Sequence, residues 1–513
     1  MYYVQVILPL RLGWEPWYSS SAPLSPGTRV RVALAGREYV AVVSRIGEPD
    51  IDRSRIQPVI GTEDSLEQIT PGEIQFWHFI ADYYLCTVGE VYKSVYPAGR
   101  TAVEERRSNS RTPSIESGVG AARLSPAGKQ DLVSVLEALG QHLPVLVRGA
   151  AREALYASLV RRTLADGADV LLLRPGARKP GYVRLRELSR SVRSAAPTLA
   201  EGHRSLLFLP WRKLGLIIVD EEQDPSYKQD SAPRYNARDA AIALASACGA
   251  GIVLGSPAPS LESLYNVGAG RYLQVNMQDS AAPVGPGPEP VLIDITAERR
   301  KRGLSGRLPY KLMTALREAA SKGKRILLLY PWPDWRDSEI EFREAFPDNR
   351  FKFARTGTVS AAEIARAGLV TVMDADALLS KGDFRSDERA FATLRRICSG
   401  CTGELYIVGR DLERPVFQAI AQGKTDISSQ LLNERRAFGY PPFTRLVELR
   451  INDTNESRRA KMSAELSRRT GGLQVFLPKD KNLKRAKEGL KRAVTQFESE
   501  FHYTGHIIID VDP

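Results

Sequence analysis

Residues 202–266 read GHRSLLFLPWRKLGLIIVDEEQDPSYKQDSAPRYNARDAAIALASACGAGIVLGSPAPSLESLYN, and the alternation of apolar and polar runs in them decides the fold. Leu214 to Val219 is short and nearly all apolar, and meets Asp220, Glu221, Glu222 and Gln223 at once. Such a run predicts a strand buried on both faces, as in a parallel sheet. A second buried strand, Ile252 to Leu254, ends in Gly255-Ser256. Acidic residues at the carboxyl end of a parallel strand lie where open α/β sheets bind ligands. Asp220 and Glu221 there have the chemistry of a magnesium-nucleotide site. One carboxylate holds the metal through water and the other orients a hydrolytic water. A solvated strand end is the alternative for a bare Asp-Glu-Glu.

The loop between the two strands contains Pro and carries Tyr227, Lys228, Arg234, Tyr235 and Arg238. Aromatic rings offer faces for base stacking and cations neutralise phosphates, so these five are candidate DNA contacts. Taken together, these motifs resemble the primosomal protein N-prime (PriA) family of replication-restart helicases. In that family a DEEH box, a SYKQ…PRYHARD loop and a GSATPSLES motif follow in this order. The match departs at Gln223, where the family has His, and at Pro257-Ala258, where it has Ala-Thr. The resemblance implies an α/β architecture. Two RecA-like helicase lobes on parallel sheets are flanked by an N-terminal small β-barrel DNA-binding domain and a C-terminal α+β domain.

The chain has 513 residues, 43% of them hydrophobic, enough for several domains each with its own core. Its net charge of +12 favours a polyanionic partner, although charge alone does not separate nucleic acid from an anionic membrane surface. Cys86, Cys248, Cys398 and Cys401 are too few and too scattered for a disulfide framework, which fits a reducing cytoplasm. No apolar stretch approaches membrane-spanning length, so no membrane association is expected.

Residues 1–105 contain VQVILPL, TRVRVAL and EYVAVVSRI, strand-length segments separated by Pro and Gly, followed by a helical pattern from Glu73 to Tyr84. The resemblance continues through LPLRLGWEPWY and DYYLCTVGEVYKSVYPAG, and implies a domain that holds the 3′ end of a nascent strand at a fork. The family's Phe-Asp-Tyr pocket falls on Pro16, Trp17 and Tyr18, which makes Trp17 and Tyr18 candidate DNA contacts; core aromatics are the alternative. The family's next Phe-Gly falls on Leu34-Ala35. Residues 106–122, within a polar Ser/Gly/Arg-rich run, read as a linker.

The first helicase-like lobe is expected over 123–282, opening with a helix capped by Ser125. A phosphate loop needs Gly-x-x-x-x-Gly-Lys-Ser/Thr, because glycine amides wrap the phosphates and the Lys reaches the terminal ones. Here GAAREALY, Gly149 to Tyr156, is about three residues shorter than the family's loop. Gly149 and Arg152 are the nucleotide-binding candidates, with Arg152 at the lysine and Glu153 at the magnesium-binding hydroxyl. A shortened loop wraps a triphosphate poorly, Glu153 repels it, and arginine replaces a compact ammonium badly. The resemblance also brings Arg204, in an Arg-Ser pair, toward a DNA backbone. The basic run 178–195 reads as a phosphate-tracking segment or, on charge alone, as a solvated helix face.

The second lobe is expected over 283–425. DADALLSKGDFRSDERAF resembles the family strongly there, but the family's eight-cysteine, two-zinc insert is absent, so neither zinc nor another metal is expected. Arg396 stands at the family's Gln, and Gly400 and Gly403 stand at its two inter-lobe arginines. Losing those cations removes charge stabilisation of a transferring phosphoryl group. The single Cys398–Cys401 pair is too little for a zinc site. Residues 426–513 form the C-terminal α+β unit, with a basic amphipathic helix from Leu483 to Val494.

The reading is therefore a PriA-like replication-restart protein of the cytoplasm that binds forks, single strands and 3′ ends of DNA with a degenerate motor. Asp220 and Glu221 are then remnants of a catalytic magnesium-ATP site, and ATP and magnesium enter as cofactors only through the resemblance. Single-strand-binding protein and other primosome proteins are partners on the same ground. An active ATP-dependent 3′-to-5′ helicase, and a primosome scaffold without DNA contact, are the alternatives.

Overall fold

The computed structural model describes residues 1–96, 124, 126–149, 152–277, 287–301, 303–305, 308–332, 335–346, 351–380, 382–424, 426–501 and 506–513. The expected linker, the Ser125 cap and Ala150-Ala151 of the shortened loop lie outside the described residues. The chain divides into two compact units, Met1–Gln278 with Gly439–Pro513, and Asp279–Phe438.

The first unit opens with a curled six-stranded sheet. Its strands run in the order Gln57–Pro58, Trp17–Ser20, Tyr2–Ile7, Arg37–Ile46, Arg29–Leu34 and Gly61–Thr62. Period-two patterning puts Val4, Val6, Val30, Val32, Ala41 and Val43 on one face, where all are fully buried. Two helices follow, Pro71–Tyr83 and Val88–Val95. Each is started by a reciprocal capping box, Thr70 with Glu73 and Thr87 with Glu90. Gly89 lets the second helix touch the end of the first strand. A Cβ there would lie 2.1 Å from the Leu10 carbonyl oxygen and 2.3 Å from that of Leu8.

Next comes the predicted parallel sheet, with strands in the order Leu273–Asn276, Val145–Arg148, Gly251–Ser256, Leu214–Asp220, Asp169–Leu173 and Leu199–Gly202. The Leu214–Asp220 strand sits inside it with parallel neighbours on both sides. Its side chains alternate between two cores: Ile217 and Val219 join Leu171, Leu173 and Leu254, while Leu216 and Ile218 join Val170, Leu172 and Val253. Burial on both faces is why the run carries no polar residue before Asp220. In register, Asp220 lies beside Gly255 and Val219 beside Leu173, so the carboxyl ends of three strands share one rim.

The C-terminal part is a three-stranded antiparallel sheet, Thr444–Asn452 between Gln474–Pro478 and His506–Val511, with helices Glu456–Thr470 and Leu483–Glu500. Val447, Leu449, Val494, Phe497 and Val511 belong to the same continuous core as the first lobe's Ile217 and Val219.

The second unit carries a five-stranded parallel sheet in the order Val291–Asp294, Glu404–Gly409, Leu369–Val372, Ile326–Tyr330 and Phe351–Arg355. The helix Ser428–Phe438, expected to open the C-terminal domain, lies in this unit instead. Its Arg435, 4% exposed, pairs with Glu388 of the same unit. Cys398 and Cys401 are buried free thiols, and burial pushes Cys398 up to about 11. Among the described residues no helix is long and apolar enough to cross a membrane.

Candidate functional site

Three consecutive acids end the Leu214–Asp220 strand and point to three sets of partners. Glu221 adopts φ 50°, a left-handed turn that breaks the strand and separates Asp220 from Glu222. Tyr227 pins the turn by donating its hydroxyl to the Asp220 carbonyl oxygen at 2.6 Å.

Asp220 is 7% exposed and saturated with donors. Arg152 donates to its Oδ1 from Nε at 3.2 Å and from Nη2 at 3.1 Å, and Tyr156 adds its hydroxyl at 3.0 Å. Arg174 Nη1 donates to Oδ2 at 3.0 Å. Arg152 Nη2 also reaches Glu221 Oε1 at 2.5 Å, and its Nη1 donates to the Gly149 carbonyl oxygen. Gln223, the family's histidine position, donates to Glu221 Oε2 at 2.7 Å and accepts from Ser256. Arg174 further binds Glu153 through both terminal nitrogens, at 2.6 and 3.0 Å, and Glu201 through Nε at 2.9 Å. Burial opposes the Arg152 charge, but Tyr156, Asp220 and Glu221 outweigh it and hold the guanidinium above its ordinary pKa. Burial and Asp220 together keep the Tyr156 hydroxyl protonated.

Glycine serves packing at this rim. Gly149, at φ 122°, crosses the chain at Met277, where a Cβ would fall 2.1 Å from the Met277 carbonyl oxygen. A Cβ on Gly255 would land 1.6 Å from the Tyr156 hydroxyl oxygen, so the tyrosine reaches Asp220 only because residue 255 has no side chain.

Glu222 is turned inward and is 1% exposed. It accepts from the Ser260 amide at 2.6 Å, the Ser260 hydroxyl at 2.9 Å and Arg238 Nη1 at 3.2 Å. Burial pushes its carboxyl above the usual range and Arg238 pulls it back. Arg238 itself is 6% exposed and also contacts Asp239 at 2.8 Å and Glu262 at 3.8 Å.

The candidate DNA contacts are placed differently from their expected outward display. Tyr227 and Tyr235 are each 2% exposed, and Tyr235 packs edge-on to Phe208. Lys228 donates to the Val511 carbonyl oxygen at 2.6 Å and pairs with Asp510 at 2.8 Å. Arg234 lies 3.6 Å from the other Asp510 oxygen. Arg204 donates to the Ser226 carbonyl oxygen at 2.6 Å. In the N-terminal sheet Trp17 is buried, donating to Asp50 at 2.8 Å, and Tyr18 is buried, donating to the Ala33 carbonyl oxygen at 2.8 Å. Aromatic rings are the largest apolar surfaces these segments own, and folding buries them. The loop is thus an internal clasp between the strand rim and the C-terminal strand. The partners that sequence reasoning missed are Tyr156, Arg174, Glu201 and Asp510. Arg152, Glu153 and the Gln223 departure signalled an altered rim in the sequence, but not these partners.

Residues 5–97 match the family model of the PriA 3′DNA-binding domain (3′BD). The replication restart protein PriA of Rickettsia felis is 27% identical over 282 residues, covering 51% of this chain and 43% of that protein. PriA of Synechocystis sp. is 25% identical over 496 residues, covering 71% of this chain and 59% of the relative. PriA of Chlamydia pneumoniae reaches 39% identity over 130 residues, 25% of this chain and 17% of the relative. The chain thus spans about half the length of the Rickettsia and Synechocystis proteins, at 43% and 59%.

Proposed function

The chain belongs to the PriA family, and from that premise we propose that it binds forked or single-stranded DNA in replication restart, with a nucleotide site closed by its own arginines. The observation that carries this reading is Arg152. Its guanidinium lies against both carboxylates, Asp220 and Glu221, that a magnesium nucleotide would require. Arg174 takes the remaining Asp220 oxygen and Glu153. The residues do not fit a magnesium-bound triphosphate. Metal binding would have to displace two arginines already held on these acids, of which Asp220 is buried, by charge-assisted bonds. Gly403 supports the same reading in the second unit. A Cβ there would sit 2.3 Å from the Gly368 carbonyl oxygen, so no arginine replaces it without moving backbone.

Support for DNA binding comes from the family premise, the net charge of +12, and an exposed basic stripe on the helix Leu483–Glu500. Lys484, Arg485 and Arg492 are exposed and carry no ion pair among the described residues. Lys487, by contrast, is buried against Asp82. The spacing puts the three exposed cations on one side of the helix.

Fluorescence anisotropy with fork DNA tests the reading. Affinity is expected to fall steeply with salt, and changing Lys484, Arg485 and Arg492 to Gln is expected to reduce the log–log salt slope by about 2–3. Binding that ignores salt, or no binding to any branched or single-stranded substrate, favours the scaffold reading. The unchanged salt slope of a folded triple variant would remove this helix from the interface.

A further inference from the structure

A cluster of unmatched cations lies on the second unit. There the helices Ile295–Lys301 and Tyr310–Ser321 both pack on a two-stranded hairpin, Leu304–Ser305 with Leu308–Pro309. Arg299, Arg300 and Lys301 end the first helix, and Lys311 and Arg317 lie on the second. All five are exposed, and none of their side chains has an ion pair among the described residues. The acids of the same stretch are occupied or withdrawn. Asp294 accepts from the Ala297 amide at 2.7 Å, Glu318 pairs with Lys322, and one carboxylate oxygen of Glu298 is buried.

A cation in the last turn of a helix complements the macrodipole. That accounts for positive charge at this place, but three consecutive cations repel one another unless an anion lies against them. An open aromatic ring stands beside them. The helix Tyr310–Ser321 turns Leu312, Met313, Ala315, Leu316 and Ala319 inward, which leaves Tyr310, Thr314 and Arg317 on its outer side at helical spacing. Tyr310 is 46% exposed. Its ring rests by the turn that closes the first helix: the Gly303 amide donates to the Glu298 carbonyl oxygen at 3.1 Å, and a Cβ on Gly303 would lie 3.6 Å from Tyr310 Cε2.

A chain of phosphates carrying flat bases matches both parts of this surface, the cations through its phosphates and the ring through a base. We propose that this face of the second unit is a contact for single-stranded DNA. Arg299, Arg300, Lys301, Lys311 and Arg317 meet the phosphates, and Tyr310 stacks on one base. Any internal stretch of a strand satisfies the surface, so it needs no strand end. The proposal rests on the DNA reading above but uses no residue of the helix Leu483–Glu500, which belongs to the other unit.

The test is fluorescence anisotropy of the full chain with an internally labelled circular oligo(dT), which has no end. Changing Arg299, Arg300 and Lys301 to Gln is expected to lower the log–log salt slope by about 2. Tyr310→Ala is expected to weaken binding about fivefold or more and leave the slope unchanged. These positions are exposed, and an unchanged urea midpoint confirms that each variant folds. A folded triple variant that keeps the slope, or Tyr310→Ala that keeps the affinity, overturns the proposal. Vesicles containing anionic lipid are the competing polyanion. Variants that lose vesicle binding and keep the circle give the surface to a membrane, and the proposal falls. Fork DNA measured on the same samples separates the two readings. If the unaltered chain binds neither fork nor circle, both fall; if it binds both and these variants change nothing, only this surface falls.

Discussion

Replacing Arg152 by alanine is expected to lower the stability of the first unit by about 3–5 kcal/mol, the cost of removing one partner from a buried ion pair. Arg152 is 7% exposed, and its loss takes two donors from Asp220 and the charge partner from Glu221. Arg174 and Tyr156 remain on Asp220, so part of the charge stays compensated. A fall in the urea midpoint, followed by tryptophan fluorescence, is the readout. Adding Asp220→Asn to Arg152→Ala should recover part of the loss, because it removes the stranded charge; contacting residues couple by about 0.5–3 kcal/mol. An unchanged midpoint, or losses that simply add, would mean that the rim does not depend on this arginine.

The second large effect is expected at Arg238. Arg238→Met strands Glu222, which is 1% exposed and left with only Ser260, again at a cost of about 3–5 kcal/mol. A solvent-facing phosphate contact would behave oppositely. Its removal would leave stability within about 0.5 kcal/mol and weaken DNA binding uniformly. Measuring the unfolding midpoint and fork affinity on one preparation separates the two. A stable variant with weakened DNA binding would return Arg238 to the interface.

That contrast shows where reading residues along the chain succeeds. The strands were legible because burial on both faces leaves an unmistakable pattern: nothing polar interrupts Leu216 to Val219, and Asp220 marks the rim. The acidic cluster was legible for the same reason. The aromatic loop was not. Tyr, Lys and Arg in a Pro-containing loop have the same composition whether the loop faces a nucleic acid or folds inward onto acids. What decides is where the acids are, and Lys228 finds its carbonyl partner 283 residues away at Val511. Trp17 and Tyr18 show the same limit. The strand Trp17–Ser20 was not among the segments that read as strands, and the partners of its aromatics, Asp50 for Trp17 and the Ala33 carbonyl oxygen for Tyr18, lie outside the local pattern. Arg152 was legible as a replaced lysine. It turns back onto Asp220 and Glu221 over Gly255, in space that it shares with Tyr156 and that no local motif encodes.

Calorimetric titration with ATP, with and without magnesium, tests the closed rim most directly. The account predicts no magnesium-dependent component of binding up to about 1 mM nucleotide, and no difference between the unaltered chain and Glu221→Gln. One-to-one binding that tightens with magnesium and disappears in Glu221→Gln would contradict it.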